Sequence, residues 1–202
     1  ANLTLIPADD GPVTAFDTGP ACTLLDRWID LIHGLPLDED GAWAARGRVH
    51  QPLLSKLLEE PWLHSPPPRS TGRELFNLTW LRQNAGSHLH DLPPEDVQRT
   101  LLSFTVETVA REVEGRLPPA APLYLCGGGS RNAYLVQALR KRLPHWPVSP
   151  SDAAGVPAAW MECMAFAWLA RERVAGRPGN LTSVTGARAP CLLGTRIDPL
   201  SD

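Results

Sequence analysis

The chain has 202 residues, 43% of them hydrophobic and 20% charged, with a formal net charge of −3. These are values of a globular domain able to bury a core, not of a disordered segment. With no run of lysine or arginine there is no electrostatic footprint for nucleic acid, and no apolar stretch is long enough for a membrane span or built like a signal leader. The four cysteines, Cys22, Cys126, Cys163 and Cys191, lack C-x-x-C spacing, and no histidine pair has zinc spacing. They read as reduced core thiols of a cytoplasmic protein, with no metal-ligand set among the side chains.

In chain order, Leu3–Ile6 and Val13–Phe16 are β-rich runs flanking a Pro/Asp/Gly segment, which predicts a hairpin. It delivers Asp17 to a strand end. Thr18 and Gly19 suit a turn, and Leu24, Leu25, Trp28, Ile29 and Ile32 then repeat at the spacing of an amphipathic helix. Strand, turn and helix N-terminus converge on Asp17, so backbone N–H groups can face an anion there. A carboxylate beside such a cradle suits phosphoryl transfer, as a base or a magnesium-side ligand. The same residue could equally cap a helix or close a turn.

Asp38-Glu39-Asp40-Gly41 lacks EF-hand spacing and reads as a solvated turn. A short helix is expected from Pro52 to Glu60. Ser65–Arg69 is a stiff polyproline connector leading into a helix begun by Thr71-Gly72-Arg73-Glu74. Residues 84 to 94 read as loop, with His88 and His90 exposed. From Pro94 a long helix carries Leu102, Val106, Val109, Val113 and Leu117 as its buried stripe, and Pro118-Pro119 ends it.

Leu123-Tyr124-Leu125-Cys126-Gly127-Gly128-Gly129-Ser130-Arg131-Asn132 is a second strand–turn–helix unit, continued by Leu135, Val136, Leu139 and Leu143. Glycines let a backbone approach a ligand with no Cβ in the way. The spacing matches neither the Walker loop nor G-x-G-x-x-G. Two such units predict an α/β fold in which the strands ending at Phe16 and Cys126 share one sheet and their loops open onto one cleft. After the Ser149–Pro157 loop, Met161, Met164, Ala165 and Trp168 recur at helical spacing and read as core. Glu162, off that stripe, lies near the helix N-terminus, where an acid complements the dipole.

Five segments together resemble the anhydro-N-acetylmuramic acid kinases: Ala1-Asn2-Leu3-Thr4, Phe16-Asp17-Thr18-Gly19-Pro20, Ser70-Thr71-Gly72-Arg73-Glu74, Cys126 to Asn132, and Asp152 through Phe166. The closing Pro178 to Gly186 fits as well. The resemblance implies a ribonuclease-H-like lobe, a mixed sheet with flanking helices, of the sugar kinase, Hsp70 and actin superfamily. It further implies ATP- and Mg²⁺-dependent opening of the 1,6-anhydro bridge with 6-phosphorylation, in recycling of cell-wall sugar. On this resemblance Asp17 is the catalytic base, while Thr18, Gly19, Gly127, Gly128, Gly129 and Asn132 face the nucleotide, and Glu162 and Arg73 contact the sugar. The chain resembles the carboxy-terminal half, with helices inserted at about residues 34–94 and an amino-terminal lobe as its expected partner. A homodimer is a second expectation, and a non-catalytic sugar- or nucleotide-binding lobe working with a partner chain is the alternative. One departure is local: members read D-T-G-P-G-N, whereas Ala21 and Cys22 follow Pro20 here.

Overall fold

The computed structural model describes residues 1–197 as a mixed α/β chain. Strand β1 (Asn2–Leu5) pairs antiparallel with β2 (Thr14–Asp17), Leu3 opposite Phe16 and Asn2 opposite Asp17. Alternation puts Leu3 and Phe16 on the buried face. In the connection the Asp9 carboxylate accepts from the Gly11 N–H at 3.1 Å, closing an Asx turn.

Helix α1 (Thr23–His33) buries Leu24, Leu25, Trp28 and Ile29, and the Trp28 indole donates to the Pro94 carbonyl at 2.9 Å. It ends at Gly34, whose left-handed backbone lets its N–H reach the Asp30 carbonyl. At its other end Ala21 has φ +53°, a conformation in which Cβ crowds the chain and which glycine adopts freely. The Ala21 carbonyl accepts from Thr105 Oγ1 at 2.6 Å, which ties the strained turn to the long helix behind it. Ala21→Gly is therefore expected to stabilise the fold by about 0.5–1 kcal/mol, a rise in Tm of about 1–4 °C in a thermal melt. No rise, or a fall, would show that the surrounding packing relieves the strain.

Among the described residues, 34 to 94 form short helices, turns and irregular segments but no strand. Asp38 is not solvated, as its acidic surroundings suggested; it is 6% exposed. Its carboxylate accepts from the N–H groups of Trp43 and Ala44 at 2.8 and 2.9 Å and from the Gln98 amide at 3.2 Å, so these donors compensate its burial. Helix α2 (Gln51–Leu57) is capped by the His50 ring and buries Leu53, Leu54 and Leu57. The helix expected to begin at Thr71 begins later. Arg73–Asn77 form turns, and α3 (Leu78–Ala85) starts where the Asn77 carboxamide accepts from the Trp80 N–H at 3.0 Å. Asparagine is the better N-cap, which moves the start. Residues 84–94 are not all loop, since α4 (His88–Asp91) adds one turn and His88 is half-buried against the His50 ring.

The centre of the chain is α5 (Pro94–Arg116). Beyond the expected Leu102, Val106 and Val113 it buries Val97, Leu101, Phe104, Thr105, Thr108 and Ala110, so it is covered on nearly every side by α1, α2, the Ala44–Arg46 turn and α6 (Ala133–Arg142). Its buried threonines bond locally or to neighbours: Thr100 to the Asp96 carbonyl, Thr108 to that of Thr105. Arg142 of α6 reaches back to Glu107 and Glu114 of α5.

Strand β3 (Leu123–Leu125) pairs parallel with β4 (Val148–Pro150), with α6 between them in sequence. Among the described residues the strands ending at Asp17 and Leu125 lie in separate two-stranded sheets, not in the single sheet expected. Helix α7 (Met161–Val174) also departs from expectation. Met164, Phe166 and Trp168 are exposed, as is Trp160 before it. Its apolar residues point to several faces, and its main neighbour is the Ala158–Trp160 turn. Glu172, which also pairs with Arg171 inside the helix, holds its end to the following segment through Arg177. That segment leads to the short helix α8 (Thr182–Thr185), which lies against β2.

Candidate active site

Asp17 closes β2, half-buried, and its surroundings come from residues 69–71, where the polyproline connector meets the motif at residues 70–74. Its Oδ2 accepts from the Thr71 N–H at 2.8 Å and from the Ser70 hydroxyl at 3.2 Å, and its Oδ1 from the Asn2 carboxamide at 3.3 Å. The backbone is bound on both sides: the Asp17 N–H donates to the Arg69 carbonyl at 3.0 Å, and the Asp17 carbonyl accepts from Arg69 Nε at 2.9 Å. Residues 69–71 thus run beside the strand end and fix the carboxylate. Beside it the Thr71 hydroxyl oxygen is buried with no hydrogen-bond partner among the described residues.

The next two residues turn the chain inward. Thr18 is 1% exposed and its N–H donates to the Ala1 carbonyl at 2.7 Å. Gly19 lies so close to α5 that a Cβ would stand 2.7 Å from Thr108 Oγ1. Only glycine fits that approach without displacing the helix.

The glycine turn has a different character. Gly127 has φ +74°, and a Cβ on Gly127 or Gly128 would meet nothing within 4 Å among the described residues, so this backbone is open. Gly129 lies against Cys22, its ideal Cβ position 3.4 Å from the Cys22 sulfur. The Asp17 turn and the glycine turn are therefore neighbours through Cys22, although their strands belong to different sheets. Asn132 is the N-cap of α6: its Oδ1 accepts from the Leu135 N–H at 2.9 Å, which leaves the amide nitrogen unbonded among the described residues. Gly41, at φ +69°, packs on Asn132 and Tyr134, so the loop shaped by Asp38 supports the start of α6.

Arg73 and Glu162 stand apart from Asp17. Arg73 is exposed and lines a cleft of about 320 Å³ with Thr23, Asp26, Arg27, Asp30 and Pro36; Asp17 is not among its walls. Burial raises the Asp26 carboxyl above its ordinary pKa, with Arg27 and Arg73 opposing the shift and Asp38 adding to it. Glu162 is exposed in the first turn of α7 and makes no hydrogen bond or ion pair among the described residues.

The cysteines are free, but three of them are not core residues: Cys126, Cys163 and Cys191 are exposed, while Cys22 is half-buried against the core. Burial, reinforced by Asp26, pushes the Cys22 thiol up to about 11. Alkylation needs the thiolate, so at pH 8 Cys22 should react last of the four. Its rate should climb about tenfold per pH unit until the pH approaches that value. Mass-spectrometric mapping of iodoacetamide adducts reads this directly. Early labelling of Cys22 would mean that the turn opens readily.

The family model for "Anhydro-N-acetylmuramic acid kinase" matches residues 1–199. The chain belongs to the anhydro-N-acetylmuramic acid kinase family. It is 45% identical over 195 residues to the anhydro-N-acetylmuramic acid kinase of Cupriavidus pinatubonensis, covering 96% of this chain and 52% of that relative. It is 51% identical over 193 residues to that of Xanthomonas campestris pv. campestris, covering 96% of this chain and 50% of the relative. The chain thus spans about half the length of the curated relatives it matches. Within this kinase-family chain, sequence reading missed Arg69 and the carboxylate-binding role of Ser70 and Thr71. The signal available was the Ser70 hydroxyl alone, since the Thr71 donor is a backbone N–H that any non-proline residue carries; nothing in sequence said which carboxylate they meet.

Proposed function

We propose that this chain forms one lobe of an ATP-dependent kinase that acts on 1,6-anhydro-N-acetylmuramic acid in cell-wall recycling in the cytoplasm. The observation that carries the reading is Asp17, a strand-end carboxylate oriented by the Thr71 N–H and Ser70 hydroxyl and neighbour to an open glycine turn, in a chain of this family. In this reading Asp17 takes a proton from water as its oxygen attacks the anomeric carbon. The bridge C–O bond breaks, and the freed O6 accepts the γ-phosphoryl group, with ADP leaving. Charge and position supply most of such catalysis.

The lobe in this reading is ribonuclease-H-like, with the helices at about 34–94 inserted and the other half of the relatives' length supplying the opposing lobe. A homodimer is compatible with it. Gly127 to Gly129 suit a nucleotide because their backbone is unshielded by any Cβ, and Asn132 keeps an amide nitrogen to offer; Thr18 and Gly19 shape the turn behind Asp17. Arg73 suits a carboxylate such as a lactyl group, and Glu162 is carried as a sugar contact by the family resemblance. No group of three His, Cys, Asp or Glu side chains suited to a metal occurs among the described residues. A magnesium ion would accordingly be held largely through phosphate oxygens, whose charge it neutralises.

The test is a coupled ADP-release assay with the anhydro sugar on protein of the relatives' full length, beside calorimetry of ATP with the 202-residue chain. Full-length turnover, with weak nucleotide binding and no turnover by the shorter chain, supports the reading. Sugar or nucleotide binding without turnover at full length would favour a non-catalytic lobe.

A further inference from the structure

Asp17 is held through Arg69, whose side chain is 6% exposed and whose guanidinium is tied at every face. Its Nε donates to the Asp17 carbonyl at 2.9 Å, and one terminal nitrogen donates to the carbonyls of Leu63 and Ser65 at 3.0 and 2.6 Å. The other donates to Glu112 at 2.7 Å. The plane sits over Trp62 and beside Phe16, 4.9 and 5.8 Å from the ring centroids. Glu112, also bound by Arg116, belongs to α5. Burial alone would raise its carboxyl, yet the hydrogen bonds from Arg116 and Arg69 bring it below its ordinary value, so the ion pair stays charged.

We propose that Arg69 is a positioning residue for Asp17: its guanidinium links the strand end to α5 and to the Leu63–Ser65 turn, and its own backbone carries the Ser70 and Thr71 donors to the carboxylate. The inference rests on the reading of Asp17 as the base. Two links fix one group. The Arg69 side chain holds the Asp17 carbonyl while the Arg69 carbonyl holds the Asp17 N–H, so strand end and donor segment cannot slide past one another. Residue 71 then meets Oδ2 in one geometry. The task needs arginine, because a planar fork can reach three carbonyls and a carboxylate together, whereas an ammonium has three donors on one atom.

Arg69→Lys keeps the charge and loses the fork. In the 202-residue chain, hydrogen exchange of the Asp17 and Thr71 amides should quicken at least tenfold in this variant, while the Leu101 and Phe104 amides of α5 keep their rates. Unchanged Asp17 and Thr71 exchange overturns the proposal. So does a uniform rise across α5, which would make Arg69 a general stabiliser. Glu112→Gln, which keeps the Asp17 bond but removes the partner charge, should give a smaller rise at the same two amides and serves if Arg69→Lys does not fold; equal exchange there to wild type would count against the linkage to α5.

In protein of the relatives' full length, Arg69→Lys should lower kcat about ten- to a hundredfold with KM for ATP within about twofold, the size expected of a misplaced reacting group. In an Asp17→Asn background the same change should cost nothing further, because it acts only through Asp17. An Asp17→Asn protein that retains activity would remove the base reading. An inactive Asp17→Asn beside a fully active Arg69→Lys would remove this one alone.

Discussion

Asp17→Asn, in protein of the relatives' full length, is expected to lower turnover by about two to four decades, the usual contribution of a general base, and to leave ATP affinity nearly unchanged. An asparagine is close in shape, and its carbonyl oxygen can still accept from the Thr71 N–H that now meets Oδ2. What it cannot do is take a proton from the attacking water. Its amide would also face the Asn2 carboxamide as donor against donor where Oδ1 now accepts, a local mismatch too small to unfold the lobe. The glycine turn, next to Asp17 only through Cys22, should bind nucleotide as before. Steady-state assay beside calorimetry separates the two effects. More than a tenth of wild-type turnover would make Asp17 a turn-forming residue and no more.

The largest stability effect is expected at Phe104. Its ring is fully buried in α5, 6.2 Å from the Phe76 ring and stacked 5.9 Å from that of Trp80, with Trp62 edge-on to Phe76 at 5.7 Å. Three separate segments, 61–64, 76–85 and α5, meet in that cluster. Phe104→Ala should cost about 3–5 kcal/mol, the lost transfer energy plus the cavity left among rings that cannot collapse into it. For a chain of this size that is a fall in Tm of about 6–20 °C. Differential scanning calorimetry or a denaturant melt measures it. A loss under 1 kcal/mol would show that the neighbouring rings repack into the space.

What sequence could show was decided by the range of each interaction. The hairpin and α1 were legible because their patterns are local: alternation put Leu3 and Phe16 on one face, and spacing put Leu24, Leu25, Trp28 and Ile29 on one side of a helix. The same reading under-described α5. Its second buried side mixes apolar Val97, Leu101 and Phe104 with Gln98, Thr100, Thr105 and Thr108, polar types whose hydrogen bonds run to Asp38, to Ala21 or along the helix itself, and a face interrupted by polar residues does not register as an apolar period. Apolar spacing on α7 was real but says nothing of whether a surface faces it. Asp38 looked solvated because its neighbours in sequence are acidic, while its donors, Trp43, Ala44 and Gln98, are set by folding. At the site, Asp17, the glycine turn and the motif at residues 70–74 were legible as types. That Arg69 and not Arg73 is the arginine on Asp17 depends on a pairing across 52 residues, which no local pattern carries.

The contrast between α5 and α7 bears on cooperativity. Every large element from α1 to α6 that touches α5 shares its fate, so disrupting one should melt the rest in a single transition. Helix α7 shares little of that surface and is held mostly by the turn before it and the Glu172–Arg177 pair at its end. Heat or denaturant should therefore release it first, as a separate and shallower step in the helical signal. A single melting temperature would then describe the body around α5 and not the whole chain.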